Sequence, residues 1–446
     1  MTNEVRNNET MASSPSVSRF RWAIGTLIFV AYTLVAADRA NIGITLPYIR
    51  KDFVLTNTEA GALISLFFIF YSLGQLPAGL LLSRVSVRKT LPIFMALTSL
   101  STAIMGVSSS ALQLKFGRAL LGIAEAPLPL AMLATINRWF PPREKGMMTG
   151  IMLAAAKFGP VIVPPLGAVI IATSGWRTVF LVFAIPGFLL AMVWAVFIAD
   201  KPREIASVKQ SGPERLGATA SSNLSQNDVQ RGPRAFPTLD RIIRYRKVTR
   251  IISTKGVFKS IDIWGCAIAY LLMTGLVNVL LAWLPTYLTD VKKFTLANVG
   301  ILAATPFIGG VLGNVLGGLI SDKILGGRRK PTMIFSSIAT AVMMLLLINA
   351  PNSAVAIGVL MGLAGLLLNI GYSSYSVYSM GRVEKEVYPV AMSVINCAGQ
   401  AGGAIAPFVT GVLLDRYSWT AVFAFLSVCA AASVIALSAI VEPADE

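Results

Sequence analysis

The chain has 446 residues, of which 55% are hydrophobic and only 13% charged, and its mean hydropathy is +0.70. A soluble domain carries roughly a quarter charged residues, so a soluble fold is excluded. The net charge of +17 would suit nucleic acid, but Lys and Arg fall in alternate connections between apolar runs, which assigns them to membrane topology and leaves no nucleic-acid role.

Residues 1–21 are polar and read as a cytoplasmic tail without a cleavable signal peptide. The first apolar run, 22–47, can cross a bilayer core of about 30 Å at about 1.5 Å per residue. Runs of similar length follow at 60–82, 90–108, 112–137, 145–172 and 176–199. Residues 200–260, rich in Ser, Gly, Pro, Asn and Arg, cannot bury a core and read as a cytoplasmic linker, with room for a basic interfacial helix over 239–259. Six more runs follow, at 261–288, 297–321, 331–350, 353–379, 389–414 and 417–440, and then a short cytoplasmic tail, 441–446. The expected fold is an all-α polytopic membrane protein with twelve transmembrane helices in two six-helix bundles, 22–199 and 261–440. Arg84, Arg88 and Lys89, then Arg138, Arg143 and Lys145, then the linker, then Lys323, Arg328, Arg329 and Lys330 mark the cytoplasmic side, so both termini are cytoplasmic. Cys266, Cys397 and Cys429 lie inside apolar runs without metal-ligand spacing and read as buried small hydrophobes.

The two halves repeat at a nearly constant offset. Leu46-Pro47-Tyr48 matches Leu284-Pro285-Thr286, and Gly175-Trp176-Arg177 matches Ser418-Trp419-Thr420. The stretch from Gly79 to Ser83-Arg84, before Arg88-Lys89, matches Gly318 to Asp322-Lys323, before Arg328-Arg329-Lys330, and Pro164 matches Pro407. Parallel six-helix repeats around a midplane cavity describe the major facilitator architecture, in which the halves rock. Gly309, Gly313 and Gly317 form a small-residue face for close helix approach. Gly159, Pro160, Pro164 and Pro165, with Gly402, Gly403 and Pro407, permit bends or, as the simpler reading, tight packing.

Five charges lie inside three runs: Asp38 and Arg39, Arg118 and Glu125, and Lys157. An ion in hydrocarbon is costly, so such residues line a polar path or meet a polar partner. Arg118 and Glu125 share a helix face, as a static ion pair or as part of a proton path. The chain has no histidine, and Asp38 and Glu125 are the carboxylates well inside the runs, so a transported proton would ride on them. Arg39, Arg118 and Lys157 outnumber these acids, which suits an anion, and the planar fork of Arg suits a carboxylate. Tyr32, Asn41, Tyr71, Gln75, the run Tyr372-Ser373-Ser374-Tyr375-Ser376, Asn396 and Gln400 could read the rest of a substrate, although each alone is as well explained by packing. Gln400 corresponds to Lys157 in the repeat. No phosphate-binding loop, nucleophile elbow or histidine metal site is present, so the chain is expected to be neither an enzyme nor an ATP-driven pump.

At this point the sequence resembles the anion:cation symporters of the major facilitator superfamily, a group that takes in bacterial sugar-acid and aromatic-acid permeases, sialin and the vesicular glutamate transporters. The marks are Asp38-Arg39-Ala40-Asn41, Gly117-Arg118 through Gly122-Ile123-Ala124-Glu125-Ala126-Pro127, Asn137 to Pro141 with Glu144, and Trp176-Arg177. The resemblance implies proton-coupled uptake of a small organic anion across the bacterial inner membrane, with sugar acids of the galactonate, glucarate or hexuronate kind leading and aromatic carboxylates or dicarboxylates next. It implies Asp38 and Glu125 as proton carriers, Arg39 and Arg118 as the arginines that bind the carboxylate or tune the acids, and Tyr71 and Asn396 as substrate contacts; Lys157, Ser373 and Gln400, from the reading of the residues above, complete the expected substrate-binding set. Arg84, Arg88, Asp322 and Arg329 would form a conformational lock. Protons are the coupling ion, no other cofactor is expected, and lipids surround a monomer. Two positions depart from the family: Ser83 stands where the superfamily loop has Asp, and Lys157 where the sugar-acid permeases have a neutral polar residue. The second fits a dianionic substrate or one whose charge sits elsewhere. A proton-driven drug exporter and a non-transporting membrane sensor are the readings of other classes; surplus cavity cations disfavour the first, and the second would need the linker as its partner surface.

Overall fold

A computed structural model describes residues 15–197, 243–245, 248–384 and 386–443. Among these, regular structure is helical apart from a bridge between Ile251 and Val383. In chain order the helices are α1 (Pro15–Asp52), α2 (Asn57–Arg84), α3 (Val87–Gly106), α4 (Ala111–Glu125), α5 (Leu128–Trp139), α6 (Pro142–Ser174) and α7 (Trp176–Phe197). After the linker come α8 (Thr254–Lys259), α9 (Ile261–Asp290), α10 (Leu296–Leu319), a π-turn (Ile320–Ile324), α11 (Lys330–Ile348), α12 (Ala354–Ile370), α13 (Ser374–Arg382), α14 (Tyr388–Arg416) and α15 (Trp419–Ala439). Ten helical segments are long and apolar enough to cross a membrane among the described residues. α2 and α3 occupy the second and third expected runs at 28 and 20 residues. α3 turns Thr90, Thr98, Ser99, Ser101 and Thr102 inward, so protein packing accommodates its hydroxyls.

Two expected runs are broken. Pro127 has no amide hydrogen to continue the ladder, and the fourth run divides into α4, ending at Glu125, and α5. The tenth divides between Ile370 and Ser374 into α12 and α13. By contrast α6 and α14 run unbroken through Pro164, Pro165 and Pro407. The interfacial helix expected over 239–259 is shorter where it is described: Ile251 exchanges backbone hydrogen bonds with Arg382 and Glu384, and only Thr254–Lys259 is helical. Cys266 is buried as expected, but Cys397 is exposed.

The repeat is visible in the packing. A Cβ on Gly159 would strike the α1 backbone at Thr33 to Ala37, and one on Gly402 would strike α9 at Leu271 to Gly275, the repeat-related stretch. α1 and α9 themselves cross at Gly43 and Leu281. The glycine face of α10 packs as expected, with Gly309, Gly313 and Gly317 against Gly362, Leu366 and Ile370 of α12.

Among the described residues, the tightest packing between the halves lies toward one end. Gly61 of α2 packs on Pro407 and Phe408 of α14, and Gly300 of α10 packs on Pro164 and Pro165 of α6, two contacts related by the repeat. Ser65 donates to the Ala404 carbonyl. Asp415 of α14 accepts from Asn57 N at 2.9 Å, Asn57 Nδ2 at 2.8 Å and Thr58 N at 2.7 Å, so a carboxylate of the second half caps the N-terminus of α2 in the first. Arg50 Nη1 reaches Asp290 at 3.3 Å beside it. About five turns further along the same faces, Gly79 of α2, Gly318 of α10 and Gly146 and Gly150 of α6 would present a Cβ to nothing within 4 Å. A cavity therefore opens toward the Arg84 and Arg88 end and is shut at the Asp415 end.

At the open end Glu442, 2% exposed, accepts from Arg329 N at 2.8 Å and Lys330 N at 2.6 Å and so caps α11. Burial pushes its carboxyl up to about 7, against the pull of those hydrogen bonds and cations. A raised folded pKa contributes stability that is present at acid pH and lost as pH rises through that value. Glu442→Gln should therefore gain in thermal stability relative to the native chain as pH rises from below 4.5 to above 7, measured by unfolding midpoints across that range. A capping carboxylate is worth about 1–2 kcal/mol, and about 1.4 kcal/mol is a tenfold population change. Asp415→Ala should thus shift the resting population toward opening at the Asp415 end by about that factor, read as faster thiol labelling of Thr286→Cys, which is buried at that end, in a Cys397→Ser background.

Candidate functional site

The site is built where α1, α2 and α4 converge. Gly122 lets the α4 backbone approach the Phe67 carbonyl and Tyr71 amide of α2, where any Cβ would collide. Glu125, the last residue of α4, has no exposed surface. Arg39 Nε of α1 donates to Glu125 Oε2 at 2.5 Å, and the Arg39 guanidinium lies over the Tyr71 ring at 4.9 Å and the Phe67 ring at 5.3 Å. Arg118 is 1% exposed and lies over the other ring position, 5.1 Å from the Phe67 centroid. Phe67 and Tyr71, one turn apart, stack at 5.7 Å, so one aromatic pair carries both guanidinium groups.

Asp38 is buried, accepts from Asn41 Nδ2 at 3.4 Å, and lies within electrostatic reach of Glu125 and Arg118. The structure thus brings Asp38, Arg39, Tyr71, Arg118 and Glu125 into one cluster. Several buried atoms in it have no hydrogen-bond partner in the protein: Arg39 Nη2, Arg118 Nε and Nη1, and Glu125 Oε1. Buried polar groups are nearly always paired, and among the described residues no acceptor meets these guanidinium donors, which suits them to an acceptor from outside.

Lys157 lies beside the cluster. The close fit of Gly159 on Ala36 and Ala37 sets α6 against α1, and the Lys157 ammonium reaches across to the second half, 4.8 Å from the Tyr372 ring centre. It lines a cavity with Pro306 and Phe307 of α10 and Leu368 and Asn369 of α12. Tyr270 donates its hydroxyl hydrogen to Tyr372 at 3.0 Å. Tyr32 is within electrostatic reach of Arg39, Tyr71, Glu125 and Tyr372, which joins the two regions.

The remaining predicted residues are more dispersed. Ser373 is half-buried at the break between α12 and α13. Asn396 and Gln400 share a face of α14 with Gly403, which packs on Phe68 of the first half; Asn396 is exposed and Gln400 half-buried on that face. Arg329 pairs with Asp322 at 2.6 Å within the second half, while Arg84 and Arg88 are exposed on the first. Sequence reasoning missed Phe67 and Tyr270. The spacing of Phe67 before Tyr71 was a usable signal, and the offset relating Pro47 to Pro285 also relates Tyr32 to Tyr270. Trp176 Nε1 and Arg177 Nη1 both donate to Asp52 of α1 at 2.7 Å, and Arg21 pairs with Glu144 at 2.9 Å, so two of the sequence marks tie α1 to its neighbours.

The family profile described as Major Facilitator Superfamily matches residues 28–323 and 292–446. The chain belongs to the Major Facilitator Superfamily. Among its relatives in this superfamily, a protein of Escherichia coli (strain K12) named "Probable L-galactonate transporter" is 27% identical over 410 residues, covering 90% of this chain and 85% of that one. Another, from Bacillus subtilis (strain 168) and named "Probable galactarate/D-glucarate transporter", is 27% identical over 436 residues, with 95% and 92% covered. A solved bacterial homolog of the human lysosomal transporter Spinster, inward-facing and unoccupied, superimposes with a TM-score of 0.71 at 17% identity over 95% of each chain, a likeness of fold. This major facilitator protein is a membrane transporter and not an enzyme.

A cation over an aromatic face gains about 0.5–2 kcal/mol depending on desolvation. Phe67→Leu, which keeps most of the volume, should lower the unfolding midpoint. Its effect should be smaller in an Arg118→Gln background, as a double-mutant cycle in thermal unfolding would read.

Proposed function

We propose that this protein is a proton-coupled symporter that imports a sugar acid across the bacterial inner membrane, with twelve spanning helices and both termini in the cytoplasm. The observation that carries this reading is the Arg39–Glu125 contact at 2.5 Å. Ionised Glu125 occupies the donor that a substrate carboxylate would need. A proton on Glu125 cancels its charge and releases Arg39, whose planar fork can then take the substrate carboxylate in two hydrogen bonds. Proton and anion bind together because each removes the obstacle to the other. Asp38 adjoins as a second carboxylate within electrostatic reach of Arg118, so a second proton has a place to ride.

The names of the two relatives support the sugar-acid class. The positive-inside pattern puts the open end, with Arg84 and Arg88, in the cytoplasm, which makes this arrangement inward-open. Import then cycles through rocking of the halves: the Asp415 cap and the Arg50–Asp290 pair part to admit the anion, and the faces at Gly79 and Gly318 close behind it. Ser373, Asn396 and Gln400 line the path, and Asp322 with Arg329 stiffens the second-half side of the cytoplasmic mouth.

The test is internal acidification of proteoliposomes holding the purified full chain, on adding panels of sugar acids, aromatic acids and dicarboxylates. Acidification with sugar acids is expected, and acidification with another panel alone would replace the substrate class. Glu125→Gln should abolish proton-driven accumulation while retaining part of counterflow exchange. Unchanged proton-driven accumulation in that variant would overturn its role.

A further inference from the structure

The charges around the cavity do not balance in a way that one carboxylate can repair. Arg39 and Arg118 face Asp38 and Glu125 in the cluster described above. Lys157 has no Asp or Glu within ion-pair distance among the described residues, and its recorded contact is the Tyr372 ring. It lies in a transmembrane helix, lines a partly open cavity, and reaches from the first half to the second. A cation at membrane depth needs a partner, and a ring face meets only a fraction of that need.

Counting charges at the moment of loading makes the mismatch explicit. Once Glu125 carries its proton, Arg39, Arg118 and Lys157 face Asp38 alone, which leaves two positive charges, or three when Asp38 carries a proton as well. One substrate carboxylate on Arg39 neutralises one of them and leaves the Lys157 ammonium unmatched. Two tyrosine hydroxyls link the cationic positions, although the cavity beside Lys157 is otherwise walled by Val277, Leu280, Pro306, Phe307 and Leu368, with Asn369 as its other polar side chain. Tyr32 is within reach of both Arg39 and Tyr372, and the Tyr372 hydroxyl, which accepts from Tyr270, keeps its own hydrogen to donate.

We infer that the cavity takes dianions, one carboxylate on Arg39 and a second anionic group on Lys157, with the hydroxylated middle of a sugar diacid read by Tyr32 and Tyr372. This rests on the reading of Arg39 as the carboxylate dock and narrows it from sugar acids in general to aldarates. Lys157 is then the residue that sets the preference of diacid over monoacid.

The experiment compares matched pairs on the purified full chain, by calorimetry or ligand-shifted thermal unfolding: galactonate against galactarate, butyrate against succinate, and benzoate against phthalate. Galactarate is expected to bind at least tenfold more tightly than galactonate. Lys157→Gln should weaken galactarate at least tenfold more than galactonate, and Lys157→Arg should restore the difference. Equal weakening of both sugar acids in Lys157→Gln would mean that Lys157 only props Tyr372, and would overturn the inference. So would native galactonate affinity equal to or above that for galactarate, which would leave the sugar-acid reading intact. A diacid preference that depends on Lys157 but appears only for succinate or phthalate would sustain the dianion site and remove the sugar-acid reading. Binding of none of the six would overturn both.

Discussion

The contact between Arg39 and Glu125 is the constraint on which the rest of the first half is arranged. A carboxylate with no exposed surface needs a cation in hydrogen-bond range, and removing one partner of such a pair costs about 3–5 kcal/mol. The meeting requires α4 to end where it does, because Pro127 stops the ladder just after Glu125. It also requires α4 to lie unusually close to α2, which Gly122 permits. The guanidinium must then be held flat, which the Phe67 and Tyr71 rings do from beneath. Each of these features is local and cheap to lose, yet each bears on the same pair of side chains.

The second half answers with aromatic hydroxyls where the first half has charges. Tyr270 lies with its ring centre 5.3 Å from that of Tyr372 and 5.2 Å from that of Tyr375. Lys157 joins the two chemistries, since it is anchored on a first-half helix and ends over a second-half ring. A substrate held between them would touch both bodies that must move, so its binding energy can bias their relative position.

Much of this was legible beforehand, for reasons that can be named. The five buried charges stood out because ions in apolar runs are rare, and the repeat stood out because prolines and tryptophans recur at one offset. The glycine face of α10 was readable as packing because nothing else explains a small residue every turn. Phe67 was not readable, since one phenylalanine among several in an apolar run has no mark of its own until its ring is found under two cations. The break between α12 and α13 was likewise hidden, because Gly371 is one glycine among many in spanning helices. The pairing partner of the buried acid was beyond reach for a different reason: the spacing put Arg118 on the same helix face as Glu125, whereas the hydrogen bond goes to Arg39 of α1, a choice set by the rotation of α4 about its axis. Whether a cysteine in a spanning helix meets protein or open space is set by the same kind of rotation, and Cys397 fell on the open side.

That last feature has a use. Cys397 lies seven residues before Ala404, whose carbonyl receives the hydroxyl of Ser65 across the boundary between the halves, so the thiol is on the face of α14 that opens and shuts. With Cys266 buried and Cys429 half-covered, Cys397 is the most exposed native sulfur, so a single alkylation site on the wild-type protein would report on the surroundings of this stretch of α14.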